Sequence, residues 1–421
     1  MQHRRSITAG LVLLAGVLCA AAPAAAGRGW PMRRDGDLLL VQTPHYVLHT
    51  DHEPAVAQLI ASHQEALFRE LYRRLGTISP NKMSGRWTVK VFRKQQRYQE
   101  ALGPTAKGSR GLYVHAKKIL AAWGSPDHLE VVFETLRHEG THQFVVHFIG
   151  PGVPVWLNEG MAVFYQHSRF EEGRLVLGEI PPQRLVRLKK AIKGGEIIHL
   201  DRMLQMSDQR WLDAVHAGGS HAGLQYDQAW AMVHFLAFAR EKRYRGRLNR
   251  FIHYLSRGSQ PLPAWKKTFG TDFEGFERGW KEYVLGLDAP ENLSCRQRLR
   301  LLAHLVVHVY KKRPEAVKDL ASFRKALMEG SLGKWSLETD SGLKLSHDDR
   351  EGIARLFRCP ADKRERVKIS YELAPAKDGR PPVLRCTHHA GYVLQSRYEK
   401  KANGSDFTIN VVTKPRPATR R

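Results

Sequence analysis

Two histidines four residues apart, with a glutamate directly after the first, are the side chains best placed to do chemistry in this sequence: His138-Glu139-Gly140-Thr141-His142. On a helix, positions four apart lie above one another, so both imidazoles can bind one ion while Glu139 projects beside them toward a water held there. A second segment, Val155-Trp156-Leu157-Asn158-Glu159-Gly160-Met161-Ala162, follows after one break and offers Glu159 as a carboxylate for the third ligand position. Two neutral imidazoles, one carboxylate and an open fourth position suit zinc-assisted hydrolysis, with Glu139 as general base.

With 21 histidines in the chain, three fixed positions coincide by chance about once in twenty, so the flanks must agree with a helix. Val131, Val132, Phe133 and Leu136 before the motif, and Phe144, Val145 and Phe148 after it, have the apolar spacing of a helix held inside a domain. Gly140 interrupts it at a cost of about 1 kcal/mol against alanine, and the sequence names no partner that offsets this. Gly150-Pro151-Gly152 with Pro154 ends that helix, and Trp156, Leu157, Met161, Ala162 and Phe164 define another carrying Glu159. The span between His142 and Glu159 is long enough for a helix-loop-helix return that aims the carboxylate at the ion. Val145 and Phe148 stand where the metzincin pattern requires glycine and histidine. His147 is turned roughly 140° from His142 by the helical period, so it is expected to face away from the ion. The bland reading makes both histidines ordinary helix residues and Glu159 a helix-start carboxylate.

These residues resemble the gluzincin zinc metallopeptidases, and among them the peptidase MA-like group of exported bacterial proteins. The similarity runs from about His45 to Leu287 and is strongest at the two motifs. Trp156-Leu157-Asn158-Glu159-Gly160 also looks like the wording of zinc aminopeptidases, but the spacing between the halves is shorter and the G-A-M-E-N segment is missing upstream, so exopeptidase specificity does not carry over. The resemblance implies an α+β, thermolysin-type catalytic domain, with a mixed sheet and a helical half, that hydrolyses peptide or protein substrates as an endopeptidase. It implies one zinc ion on His138, His142 and Glu159, with Glu139 as base. A tyrosine or histidine on a later helix supplies the oxyanion donor in such enzymes. Tyr226, which opens Tyr226-Asp227-Gln228-Ala229-Trp230, is the candidate, with His221 on a Gly-rich loop as the weaker one; Tyr226 reads equally well as a ring packed on the core. A substrate backbone is expected to add as an antiparallel strand near residues 119 to 123. Some gluzincins place an acid four residues after the ligand glutamate to support a metal-bound histidine. Val163 stands there, leaving that support unassigned.

Compartment and organisation follow from the rest of the chain. Met1 to Ala26 has Arg4 and Arg5, an apolar run from Leu11 to Ala22, and Ala24-Ala25-Ala26 before Gly27, the layout of a cleavable secretory leader. The mature protein is thus expected to be periplasmic, on the cell surface or secreted. No later stretch approaches the ~20 apolar residues of a membrane span. Loss of the leader removes Cys19 and leaves Cys295, Cys359 and Cys386; Cys359 and Cys386 pair, or all three are buried thiols. With 67 basic against 41 acidic residues the formal charge is +26, which favours anionic envelope polymers or acidic proteins as partners, and no nucleic-acid motif is present. That charge, with Val163, also fits a second class: a catalytically weak or inactive binding protein on the same scaffold, held to anionic envelope polymers. The 421 residues divide into the leader (1–26), a catalytic domain (27–290), a small α+β module (291–413) and a disordered basic tail (414–421). In the module, helices are expected over Arg296 to Val309 and Pro314 to Leu327, and strands over 367 to 373, 391 to 396 and 407 to 412.

Overall fold

Apolar residues at every second position lay down the first layer of the protein. In the computed structural model β1 (Met32–Asp35), β2 (Leu38–Gln42) and β3 (Tyr46–Thr50) form an antiparallel start. Tyr46, Leu48 and Thr50 of β3 are buried and the residues between them half-buried, the period-two pattern of a strand. α1 (Pro54–Leu71) follows and ends in a π turn over Tyr72–Gly76. Next come β4 (Trp87–Phe92), α2 (Gln95–Leu102), β5 (Gly111–Val114) and β6 (Ile119–Trp123). The six strands make one mixed sheet in the order β1-β2-β3-β4-β6-β5, with β3, β4 and β6 parallel and β5 antiparallel to β6. The structure describes residues 29–126, 129–171, 173–218, 223–238, 242–287, 295–330, 332–338, 344–357, 370–376, 379–388, 392–400 and 407–415. The leader expected over 1–26 and the boundary expected at Ala289–Pro290 lie outside these residues.

β6 is hydrogen-bonded on one side to β4 and on the other to β5. The expectation of a substrate strand pairing near residues 119 to 123 is therefore corrected: the edge strand on this side of the sheet is β5, because the short return Gly111–Val114 covers β6.

α3 (Leu129–Phe148) packs on α1, β5 and β6, while α2 lies against β4 and β6, where Phe92, Tyr98, Leu102, Ala106 and Ala121 form a smaller apolar cluster. α4 (Val155–Gln166) and the hairpin of β7 (Arg169–Glu171) and β8 (Arg174–Val176) lead into the helical half. That half holds α5 (Pro182–Gly194), α6 (Leu200–Leu204), α7 (Asp208–His216), α8 (Leu224–Phe238), α9 (Lys242–Ser256), α10 (Pro261–Phe269) and α11 (Phe273–Gly286). α8 is its centre: nearly every residue from Leu224 to Leu236 is buried, as expected of a helix that is apolar around its whole circumference.

The C-terminal part holds α12 (Cys295–Lys312), α13 (Leu320–Met328), the short pair β9 (Ser336–Glu338) and β10 (Lys344–Ser346), α14 (Arg350–Leu356), and the antiparallel sheet β11 (Ser370–Ala374), β12 (Val383–His388), β13 (Tyr392–Lys400) and β14 (Phe407–Pro415). The helix expected over Pro314 to Leu327 is instead a 3-10 turn at Pro314–Val317 followed by α13. Asp319 takes the Ser322 N–H at 2.7 Å and so starts a new helix there. β12 was not expected; its Leu384 and Cys386 are buried and Val383, Arg385 and Thr387 beside them half-buried. β14 includes Lys414 and Pro415, opposite Val393 and Tyr392, so the first two residues of the expected tail belong to a strand. Cys386 is buried and its thiol is pushed up to about 12 by that burial; Cys359 and the side chain of Cys295 lie outside the described residues. β14 also reaches α1 and α3, and the buried apolar cluster is continuous from Leu39 to Val411. No helix among the described residues is long and apolar enough to cross a membrane.

Candidate metal centre

Two glycines decide how closely the helices of the site approach. Gly140 sits where α3 crosses α1: a Cβ there would lie 2.7 Å from Leu67 Cδ2 and 3.3 Å from Gln64 Oε1. This close crossing is the partner the sequence did not reveal, and it offsets the helix cost of glycine. Gly160 sits where α4 crosses α8, and a Cβ there would come within 2.5 Å of the Ala229 carbonyl oxygen. Between them the chain reverses at Gly150 (φ +108°), where the N–H groups of Ile149 and Gly150 both donate to Val145 O, at 2.8 and 3.1 Å. Pro154 then starts α4.

The reversal brings Glu159 Oε2 to 3.6 Å from His138 Nε2 and 3.7 Å from His142 Nε2. Among the described residues these three form the one cluster of histidine, cysteine and carboxylate side chains that could hold a metal ion, with their ligand atoms within 4.8 Å of one another. Tetrahedral zinc with ligands at about 2.1 Å needs them about 3.4 Å apart, so small side-chain adjustments complete the fit.

The imidazoles are fixed from behind. His138 Nδ1 lies 3.0 Å from Gln166 Oε1, and His142 Nδ1 lies 2.9 Å from Asn158 Oδ1. An amide oxygen only accepts, so each Nδ1 carries the proton and each Nε2 turns a lone pair toward Glu159. The support that Val163 cannot give is therefore supplied by Gln166. A residue seven positions on from Glu159 returns to within about 20° of its face by the helical period, nearer than the residue four on, and that was the legible signal. Gln166 is itself pinned: the buried Arg137 donates from Nε to Gln166 O at 3.0 Å and from Nη2 to Glu130 Oε1 at 3.0 Å.

Electrostatics favour a positive charge between these groups. Burial depresses His138, yet the neighbouring carboxylates of Glu159 and Glu139 outweigh it and hold the pKa above its ordinary value. Burial pushes Glu159 up, and the two imidazoles outweigh that, leaving it below the ordinary carboxylate value. Glu139 is oriented by the sheet: Tyr113 N–H of β5 donates to its Oε2 at 3.0 Å. Gly111 permits this approach, since a Cβ there would lie 2.3 Å from Thr135 Cγ2 and 3.3 Å from Glu139 Cγ.

Tyr226 lies in the first turn of α8 and packs edge-on against Trp211 at 5.0 Å. Burial, then the negative charge of Glu159, raises its pKa above the ordinary phenol value, with a smaller push from Glu139, so its hydroxyl stays protonated within the field of the site. Beside it the fully buried Asp227 accepts from Arg184 Nη1 at 2.7 Å and from Arg187 Nε and Nη2 at 2.8 and 3.0 Å. Arg184 Nε also donates to His167 Nε2 at 3.1 Å. His167 is held well below its ordinary pKa by burial and then by Arg184. Arg184 thus ties the end of α4 to the start of α8. His147 turns away as expected, with Nε2 3.2 Å from Lys82 O and its ring edge-on to Trp87. His221 lies outside the described residues.

A family model covers this stretch. The family described as "Protein of unknown function (DUF1570)" matches residues 132–263, a span that includes His138, Glu139 and His142 of α3, the whole of α4 with Gln166, and Arg184 and Asp227. No curated protein matches the chain.

Proposed function

We propose that this protein is an exported zinc-dependent peptidase of gluzincin type, with His138, His142 and Glu159 as ligands, Glu139 as general base and a thermolysin-like arrangement of mixed sheet and helical half. The observation that carries this reading is the convergence of the three ligand atoms within 4.8 Å, with both Nδ1 atoms tied to amide oxygens and a glutamate held between the metal site and a sheet edge. A zinc ion bound there supplies Lewis acidity and lowers the pKa of a water toward 7.

The chain's own groups do the rest. With Oε2 fixed by Tyr113, Glu139 presents Oε1 to take a proton from water and pass it to the leaving amine, a role worth roughly 10²- to 10⁴-fold in rate. The neutral Tyr226 hydroxyl donates to the oxygen on which negative charge develops. Substrate backbone has a place at β5. Trp123 N donates to Arg110 O at 3.1 Å, and in the alternating antiparallel ladder this turns the main-chain groups of Gly111 and Tyr113 away from β6. An extended peptide pairing there gains sequence-tolerant hydrogen bonds beside Glu139. The leader-like residues 1–26 support export.

Metal analysis and peptide digestion of the mature protein test the reading. Glu139→Gln is expected to keep stoichiometric zinc and lose proteolysis, and His138→Ala to lose both. Normal cleavage by either variant defeats the assignment.

A further inference from the structure

At the end of α1 the π turn over Tyr72–Gly76 changes the helical register, a feature often found at functional positions. Beside it two guanidinium groups share one carboxylate at ordinary i,i+3 and i,i+4 spacing. Arg73 Nε and Nη2 donate to Glu70 at 2.9 and 2.8 Å, and Arg74 Nε donates to the same carboxylate at 2.5 Å. One positive charge is left over. Arg73 and Arg74 stand at the rim of a hollow of about 200 Å³ whose walls include Met161 and Phe164 of α4, Val233 and Leu236 of α8, and Leu248 and Ile252 of α9. An apolar cavity of about 150 Å³ already accommodates benzene. Met161 lies about 200° around α4 from Glu159 by the helical period, so this hollow is on the far side of the helix from the metal centre.

Arg73 also borders a second, wider hollow of about 590 Å³, which is lined by Arg69, Lys82 and the 44% exposed Tyr72. His45 lines it too, but is engaged with Glu65 at 2.8 Å. Three cations, Arg69, Arg73 and Lys82, thus border this hollow, Arg73 paired with Glu70 and Arg69 also donating to Gly173 O at 2.9 Å. A hollow with apolar walls on α4, α8 and α9 under two arginines, joined at the shared Arg73 to one bordered by three cations, suits a molecule with a hydrocarbon tail and an anionic head. We propose that the two hollows form one binding site for a single-chain anionic amphiphile, the tail lying between α4, α8 and α9 and a phosphate head lying among Arg69, Arg73 and Lys82. The site is independent of the metal and goes beyond the peptidase reading.

Calorimetric titration of the full mature chain with dodecyl phosphate, below its micelle-forming concentration, tests this. One-to-one saturable binding is expected, at least about tenfold tighter than for inorganic phosphate or dodecyltrimethylammonium. Ala237→Phe and Leu248→Trp, which narrow the apolar hollow, and the pair Arg73→Ala with Lys82→Ala should each weaken it about tenfold while circular-dichroism melts show a folded protein. Arg278→Ala with Lys325→Ala, which removes two exposed charges elsewhere, should not. Equal weakening by that control would mean general charge attraction and overturn the proposal, as would no saturable binding. Vesicles of phosphatidylglycerol separate a bilayer source from a free lipid: adsorption that Ala237→Phe leaves intact would mean that no tail enters, and would also overturn it.

Discussion

The two ends of α4 hold the two histidines by different means. At the first end Asn158, the immediate neighbour of Glu159, holds His142; at the last end Gln166 holds His138 and is itself pinned by Arg137 from α3. The pairing is crossed, the earlier histidine with the later amide, because α3 and α4 run in opposite directions on either side of a short loop. Support next to a ligand in sequence comes with the ligand, whereas support two helical turns away exists only if the helix keeps its register against its neighbours. Both supports are neutral amides, where many metal sites use a carboxylate.

The largest effect should come from moving the whole helix. In Gly160→Ala the new methyl meets the Ala229 carbonyl oxygen at 2.5 Å, and backbone cannot yield as a side chain can. A loss of about 2–3 kcal/mol in denaturant unfolding, with weaker zinc uptake at both ends, is expected; unchanged stability would show that α4 does not depend on this crossing.

Next in size, Gln166→Leu should lower zinc affinity by about 10- to 100-fold in competition with a chromophoric chelator, and Asn158→Leu by a similar factor. Gln166→Glu, which restores a carboxylate behind His138, should raise affinity. If Gln166→Leu binds zinc like the parent, only the Asn158 end matters and the comparison fails.

α8 braces the middle of α4 through Gly160, and His234 of α8 gives that brace a pH limit. Burial holds His234 down to about 4, neutral between Tyr283 Oη at 2.8 Å and Gly178 O at 3.3 Å. A group depressed on folding costs nothing above its unfolded pKa near 6.5, and stability falls as pH drops from there toward 4, by up to about 1.4 kcal/mol per unit. Thermal melts between pH 8 and 4 should show this decline, and His234→Phe should flatten it; an unchanged slope would remove His234 as the cause. The smallest effect is expected for Gly140→Ala. Its methyl meets only the tip of Leu67, and the helix propensity gained, about 1 kcal/mol, offsets most of the strain, so the midpoint of unfolding should move by less than that for Gly160→Ala.

Much of the α/β layout could be read from pattern. The strand over 407 to 412 and the helices around both motifs occur where alternation and the 3.6-residue period put them, because each depends on neighbours in the chain. The hairpin β1–β2, the division of Pro314 to Leu327 into a turn and α13, and β12 were not anticipated. Those segments are short, and a single polar cap such as Asp319 or pairing with a distant strand decides them. At the site the cluster of His138, His142 and Glu159 was legible, and Gln166 only through its seven-residue spacing from Glu159, whereas Arg137, Tyr113 and Gly111 act across gaps that no local period records.

By itself the sequence determined which side chains have the types and spacing to hold a metal ion and which helices carry them, since both follow from residue type and from spacing within one turn or two. Only the tertiary structure decided that the edge strand beside β6 is β5, that Gly140 and Gly160 mark helix crossings, and that Gln166 takes the place left by Val163. Each of these depends on how far apart two distant segments come to rest, a distance fixed by packing rather than by order along the chain.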